Sequence, residues 1–155
     1  MDGQPHPNVS VLNEHECWEL LRSISTGRLA VSSDDGPNIF PLNYVVDHGA
    51  IVFRTGEGSK AAALTASPQV AFEVDGYDSD TTQAWSVVIK GEAESIDGLY
   101  EGLDALTLPL APWHAGEKHR FVRIVPTELT GRRFTVVDAK TWHNPLADAP
   151  VSAPE

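Results

Sequence analysis

The sequence predicts a mainly β fold, namely a small barrel of mostly antiparallel strands with two or three short helices. Six or seven runs rich in β-branched and aromatic residues are separated by turns that contain Gly, Pro or Asp. We find neither an internal repeat nor an interior linker, so one domain is expected, spanning residues 11–137. The termini, 1–10 and 138–155, are rich in Pro, Ala, Asp and Ser and are expected to be loose.

The first elements follow from local signals. Asn13 with Glu16 three residues later outlines a capping box at the start of a helix, and Gly27 stands where that helix would stop. Strands are then predicted at 28–32, 38–46 and 50–54, and the short turns between them favour an antiparallel meander. Pro41 indicates that the second strand is at an edge of the sheet or bulged.

Further helices and strands are predicted in the rest of the chain. A short helix is predicted at 59–65 and another at 97–106, with a Pro-rich loop at 108–118 that holds Trp113. Pro126 is expected to separate the last two strands. The strands predicted in this part of the chain cover 69–75, 85–94, 120–125 and 128–137.

The composition excludes several classes of partner. Among 155 residues, 22 acidic side chains stand against 11 basic ones, which gives a formal charge of −11. Such a surface repels nucleic acid and anionic membranes, and no apolar run approaches the roughly 20 residues of a membrane span. Cys17 is the only cysteine, and residues 1–10 lack the apolar core of a signal peptide. A cytoplasmic protein is therefore expected.

The most informative segment is the turn between the strand at 50–54 and the helix that follows it. Arg54, Thr55, Ser59 and Lys60 place two cations and two hydroxyls around the glycines of this turn. Backbone N–H groups at a helix start attract an anion, and Gly lets the anion approach closely. The spacing is neither that of a Walker A loop nor that of the dinucleotide-binding glycine pattern. A phosphate site is one interpretation, and an ordinary turn with surface cations is the other.

Several motifs, taken in order, resemble those of a known family. The chain is similar to the pyridoxamine 5′-phosphate oxidase-like split barrels, and in particular to the small FMN-binding proteins typified by nitroimidazole-resistance reductases. The resemblance covers about residues 11–134, and the late Pro112-Trp113 pair belongs to it. The other motifs that carry it are Gly27-Arg-Leu-Ala-Val31, Pro41-Leu-Asn-Tyr44, Phe53-Arg-Thr-Gly-Glu-Gly-Ser-Lys60, Ala71-Phe-Glu-Val-Asp75, Trp85-Ser-Val-Val-Ile-Lys-Gly91 and Phe121-Val-Arg-Ile-Val-Pro126.

The resemblance implies a split β-barrel of the FMN-binding type and a set of cofactor contacts. It assigns the flavin's ribityl phosphate to the turn that carries Arg54. It also implies a homodimer with the flavin at the interface, where Trp113 or Arg123 would reach the partner's cofactor. The isoalloxazine ring would lie beside Pro41, Leu42, Asn43 and Tyr44, with Trp85 and Ser86 nearby.

The implied activity is electron transfer by FMN from a reduced nicotinamide, NADH or NADPH, to a small electron-poor acceptor such as a nitroaromatic or a quinone. True pyridoxamine phosphate oxidases carry further basic residues near the C-terminus, whereas here only Arg132 and Arg133 form a late pair, so vitamin B6 oxidation is doubtful. Two alternatives remain open. One is a deazaflavin-dependent reductase, and the other is a non-catalytic flavin or haem carrier in which His114 or His119 would be the haem ligand.

Overall fold

The structure, a computed structural model, describes residues 9–56, 63–64, 66–96 and 120–136. Most of the helix predicted at 59–65, the helix predicted at 97–106 and the loop that holds Trp113 lie outside these residues. One helix and eight strands are described in full, and residues 63–64 and 66 are also helical. The fully described helix and strands are β1 (Val9–Val11), α1 (Glu14–Ser23), β2 (Thr26–Ser33), β3 (Gly36–Asn43), β4 (Val45–Asp47), β5 (Ala50–Thr55), β6 (Gln69–Asp78), β7 (Gln83–Ser95) and β8 (Arg120–Thr135).

The strands form one antiparallel sheet in the order β3-β2-β6-β7-β8-β5-β4, and β1 pairs with the far end of β8. Residues of β3 also contact residues of β5, so the two ends of the sheet approach each other and the sheet curls. The predicted fold, a mostly antiparallel split barrel, is confirmed. Val9 to Val11 pair with Phe134 to Arg132 and so extend the sheet.

The predicted meander of three strands is wrong in one respect. The run at 38–46 is divided at Tyr44 into β3 and β4, which lie at opposite ends of the strand order. The physical reason is that Tyr44 is buried and its backbone N–H donates to the carbonyl of Ser25 at 3.0 Å, outside any strand ladder. Pro41 lies in β3, the last strand at its end of the sheet, so the predicted edge position is confirmed.

The predicted break at Pro126 is also wrong, because β8 runs through this residue as one strand. Lys90 pairs with Glu128 and Gly91 pairs with Pro126, so Thr127 is an extra residue on β8. The Thr127 hydroxyl donates to the Lys90 carbonyl at 3.1 Å. A bulge of this kind accommodates a proline, which has no N–H to donate to the ladder, without ending the strand.

Helix α1 has the predicted capping box. The Asn13 side chain accepts from the Glu16 backbone N–H at 2.8 Å, and the Glu16 carboxylate accepts from the Asn13 N–H at 3.1 Å. The helix ends at Ser23, however, and Gly27 lies in β2, so Gly27 is not the residue that stops the helix. Gly27 serves packing instead, since a Cβ there would lie 2.3 Å from the ring of Phe72.

The core lies inside the curl of the sheet and under α1. The helix contributes Cys17 and Leu21, one turn apart, and burial raises the pKa of the Cys17 thiol. Among the described residues, no helix is long and apolar enough to cross a membrane. Six fully buried side chains from five strands fill the centre: Leu29, Ile51, Phe53, Phe72, Ile89 and Ile124.

Candidate functional site

The end of β5 carries the first two residues of the predicted phosphate site. Arg54 is half-buried, and its Nε is a buried donor with no hydrogen-bond partner. Thr55 is buried on the opposite face of the strand, and its hydroxyl donates to the Gly56 carbonyl at 3.3 Å. A buried guanidinium N–H without an acceptor is costly, and an oxyanion would relieve that cost. Arg54 therefore fits an anion better than Thr55 does.

Three other predicted cofactor contacts, Ser59, Lys60 and Trp113, lie outside the described residues. Their predicted roles stay predictions. His114 and His119, the candidate haem ligands of one alternative, also lie outside the described residues. Within the described residues, no group of three or more His, Cys, Asp or Glu side chains could hold a metal ion.

The segment from Pro41 to Tyr44 is predicted to run beside a cofactor ring, and its side chains divide between surface and core. Pro41 is exposed on β3, whereas Leu42 is buried. Asn43 is half-buried, and its Oδ1 accepts from the Thr26 hydroxyl at 3.0 Å. Of this segment, Pro41 and Asn43 have side chains placed where a ligand on the protein surface could meet them.

Tyr44 has a clear structural role. Its hydroxyl donates to the Leu21 carbonyl at 2.6 Å, and its ring meets the ring of Phe72 edge-on at a centroid distance of 4.9 Å. Burial raises the pKa of the Tyr44 hydroxyl far above its ordinary value, so this group stays neutral. The sequence does not reveal this role, because the partner Leu21 comes from the preceding helix.

Trp85 and Ser86 point to opposite faces of β7. Trp85 lies on the core side, where its indole rests against the backbone of Gly76 on β6. A Cβ at Gly76 would come within 2.6 Å of the indole. Ser86 lies on the outer face, opposite Arg132 of β8. The two predicted contacts therefore cannot both meet one ligand on the same face of the sheet.

The outer face at Ser86 is concave. It forms a groove of about 380 Å³ between β7 and β8. Lys90 and Glu128 stand at one end with their charged groups 3.9 Å apart, and Arg132 stands at the other end. The sequence analysis did not assign this groove, because it exists only through the register of two strands that are far apart in the chain. Its lining residues are Ser86, Val88, Lys90, Glu128, Thr130, Gly131 and Arg132.

A cluster of three charged residues lies beside the groove on β2 and β6. The Arg28 Nε is 2.9 Å from a carboxylate oxygen of Glu73, and another guanidinium nitrogen contacts Asp75. Burial raises the pKa of Glu73, and its hydrogen bond with Asp75 adds to that effect. The pKa of Asp75 is lowered, first by the hydrogen bond with Glu73 and then by the one with Arg28.

Arg123, the residue expected to reach a partner's cofactor, lies on the outer face of β8 opposite Val52. One guanidinium nitrogen is 4.0 Å from a carboxylate oxygen of Asp47, and the other oxygen of Asp47 is 2.9 Å from His48. This end of the sheet thus holds two arginines, Arg54 and Arg123, on the face turned away from the main core. Of these two arginines, only Arg123 lies within 4.0 Å of a carboxylate among the described residues.

Comparison with known proteins defines the class. A family model described as pyridoxamine 5′-phosphate oxidase matches residues 13–133. The crystal structure of a Corynebacterium glutamicum protein assigned as a pyridoxamine 5′-phosphate oxidase is 43% identical, with a TM-score of 0.78, over 87% of this chain and 99% of that one. This split-barrel protein therefore belongs to the pyridoxamine 5′-phosphate oxidase family.

Two further structures extend the comparison. An FAD-binding protein from Mycobacterium smegmatis is 36% identical, with a TM-score of 0.69, over 81% of this chain and 98% of that one. A Bacteroides thetaiotaomicron protein assigned to 5-nitroimidazole antibiotic resistance has a TM-score of 0.66 over 86% of this chain and 96% of that one. At 14% identity, the second likeness concerns the fold alone.

Proposed function

We propose that this protein binds FMN and passes electrons from a reduced nicotinamide to a small electron-poor acceptor, such as a nitroaromatic or a quinone. The observation that carries the proposal is Arg54, whose buried Nε has no acceptor and lies where β5 ends before Gly56. A phosphate would accept from this donor and balance its charge. The same guanidinium on an ordinary surface would be solvated and would need no ligand.

Membership of the family and the FAD-binding relative from M. smegmatis support a flavin. FMN and FAD share the ring and the ribityl phosphate, and the motifs resemble the FMN-binding branch. A bound flavin would supply the hydride and electron transfer, while the protein positions it. In this chain Arg54, with Ser59 and Lys60, would bind the phosphate. Asn43 and Ser86 would donate to the polar edges of the ring.

The test is a visible absorption spectrum of the purified protein before and after FMN is added and the excess removed. Arg54→Gln should weaken FMN binding by about 1.5–3 kcal/mol, the range for a hydrogen bond to a charged group. Arg22→Gln on the exposed face of α1 makes the same charge change away from the site and should leave the affinity unchanged.

The outcomes separate the candidates. A retained flavin band that decreases in Arg54→Gln supports the proposal, and NADH and NADPH are then tested with menadione and a nitroaromatic as acceptors. A haem or deazaflavin spectrum would favour the corresponding alternative. A colourless protein that does not bind added FMN would refute the proposal.

The proposal includes a second copy of the chain, as the family resemblance implies. Its support is an apolar strip on the outer face, where the strand register places Ile39 beside Ala30 and Ala30 beside Ala71. Ile39 is 68% exposed, and a groove of about 290 Å³ runs along this part of the face. On a chain with a charge of −11, an apolar strip of this kind suits contact with another protein surface.

A further inference from the structure

The groove between β7 and β8 contains an arginine that the proposed function does not use. Arg132 is exposed on β8, and its register neighbours are Val11 on one side and Ser86 on the other. Thr130 and Phe134, two residues away along the same face, are also neutral. In the described part of the chain, no carboxylate forms an ion pair with Arg132.

Arg132 differs from three other basic side chains of the sheet in having no carboxylate partner among the described residues. Acidic side chains outnumber basic ones 22 to 11. Arg28, Lys90 and Arg123 on the same sheet each have a carboxylate within 4.0 Å. Arg132 thus presents a guanidinium fork to the groove. Asp75, which lies across Ser86 on β6, contacts Arg28 instead. Ser86 and Thr130 add neutral donors beside the fork, and Val88 supplies an apolar floor.

Length and charge along the groove suggest how a ligand would lie in it. Arg132 is four residues from Glu128 along β8, a span of about 13 Å in an extended strand. Glu128 would repel an anion at its own end, so an anionic group would bind at the Arg132 end. The remainder of the ligand would then cover Val88. Ser86, which the family resemblance places near the flavin, would put such a ligand next to the cofactor.

We propose that this groove is a substrate subsite in which Arg132 pairs with an oxyanion, a phosphate or a carboxylate, of the small molecule that exchanges electrons. The identity of that molecule as an electron partner rests on the proposed function, whereas the binding of the anion does not. The planar fork of arginine matches both kinds of oxyanion through two parallel hydrogen bonds. The repulsion that a charge of −11 exerts on any anion makes a local cation necessary.

The experiment uses two matched pairs of probes that differ in the anion alone. Nicotinamide mononucleotide is compared with nicotinamide riboside, and 4-nitrobenzoate with 4-nitrobenzamide, by titration calorimetry on the full chain. In at least one pair the anionic probe should bind more tightly than its neutral counterpart. Arg132→Gln should weaken the binding of that anionic probe about tenfold or more. The pair that responds identifies the source of the anion, donor phosphate or acceptor carboxylate.

Arg133→Gln is the matched control. It removes the same charge one residue further along β8, but Arg133 faces the core side opposite Trp85, so its effect on the anion should be small. Equal weakening by both substitutions, or no preference for either anion, would overturn the subsite. Flavin content is measured on the same samples. If Arg132→Gln loses anion binding and the wild-type protein contains no flavin, the proposed function alone is refuted. If the wild-type protein contains flavin and Arg132→Gln has no effect on anion binding, the subsite alone is refuted.

Discussion

Tyr44 shows how one residue can set the path of the chain. It lies between β3 and β4, at the point where the backbone leaves one end of the sheet for the other. Its hydroxyl donates to the carbonyl of Leu21, one of the last residues of α1, where carbonyls have no partner within the helix. The hydroxyl therefore joins the end of the helix to the crossing point of the sheet.

Tyr44→Phe should lower the free energy of unfolding by about 1–2 kcal/mol, because a buried carbonyl loses its donor while the ring contact with Phe72 remains. Urea unfolding measures this change directly. Tyr77→Phe removes the same hydroxyl from an exposed tyrosine on β6 and should change stability by less than about 0.5 kcal/mol. If the two substitutions had equal effects, the hydrogen bond to Leu21 would not be important for stability.

At the scale of secondary-structure elements, the charged cluster of Arg28, Glu73 and Asp75 joins β2 to β6. Glu73 is the register partner of Arg28, and Asp75 follows on the same face of β6. The raised pKa of Glu73 means that the folded protein holds this proton more tightly than the unfolded chain does. Glu73 thus favours folding below its ordinary pKa, and this contribution is lost as the pH rises through its raised pKa. The lowered pKa of Asp75 has the opposite sign, so its contribution is lost as the pH falls through that lowered pKa.

Glu73→Gln makes this dependence measurable. Glutamine cannot titrate, yet its amide can still donate to Asp75. The stability of the wild-type protein minus that of Glu73→Gln should therefore fall as the pH rises from about 4 upward, the ordinary range of a glutamate. Urea unfolding of both proteins between about pH 4 and pH 7 tests the slope. A difference that stayed constant or rose with pH would show that burial does not raise the pKa of Glu73.

The sequence predicts those elements whose signals are local. The capping box of α1 needs only Asn13 and Glu16, three residues apart, and it forms as predicted. The division at Tyr44 and the bulge opposite Lys90 were not predictable in this way, because each depends on a partner elsewhere in the chain. Ser25 and Leu21 hold Tyr44, and β7 continues its pairing past Pro126.

The same distinction applies to the candidate site. Arg54 is a candidate because of the residues immediately around it in the sequence, and the structure adds that its Nε is buried without a hydrogen-bond partner. The groove was not identified, because Ser86 and Arg132 are 46 positions apart and meet only through strand register. Alternation along a strand would have separated Trp85 from Ser86, since neighbouring residues face opposite sides. Sequence reasoning thus proposes candidate residues that lie within one turn, and it misses a surface that two strands build.

At the scale of the whole molecule, the proposed dimer has to overcome the repulsion between two chains that each carry a charge of −11. The contact must therefore be largely apolar, and the strip of Ile39, Ala30 and Ala71 is the candidate. Ile39→Asp places a charge at the most exposed residue of the strip. Burying that charge against another subunit without a partner would be strongly unfavourable, so the substitution should convert the dimer into a monomer.

Light scattering coupled to size-exclusion chromatography measures this directly, with the mass of two chains expected for the wild-type protein. Val11→Asp is the control, because Val11 is even more exposed than Ile39 but lies on β1, away from the strip. It adds the same charge and should leave the dimer intact. A wild-type monomer would refute the proposed dimer itself. Equal loss of the dimer in both variants would show that total charge, and not the strip at Ile39, controls association.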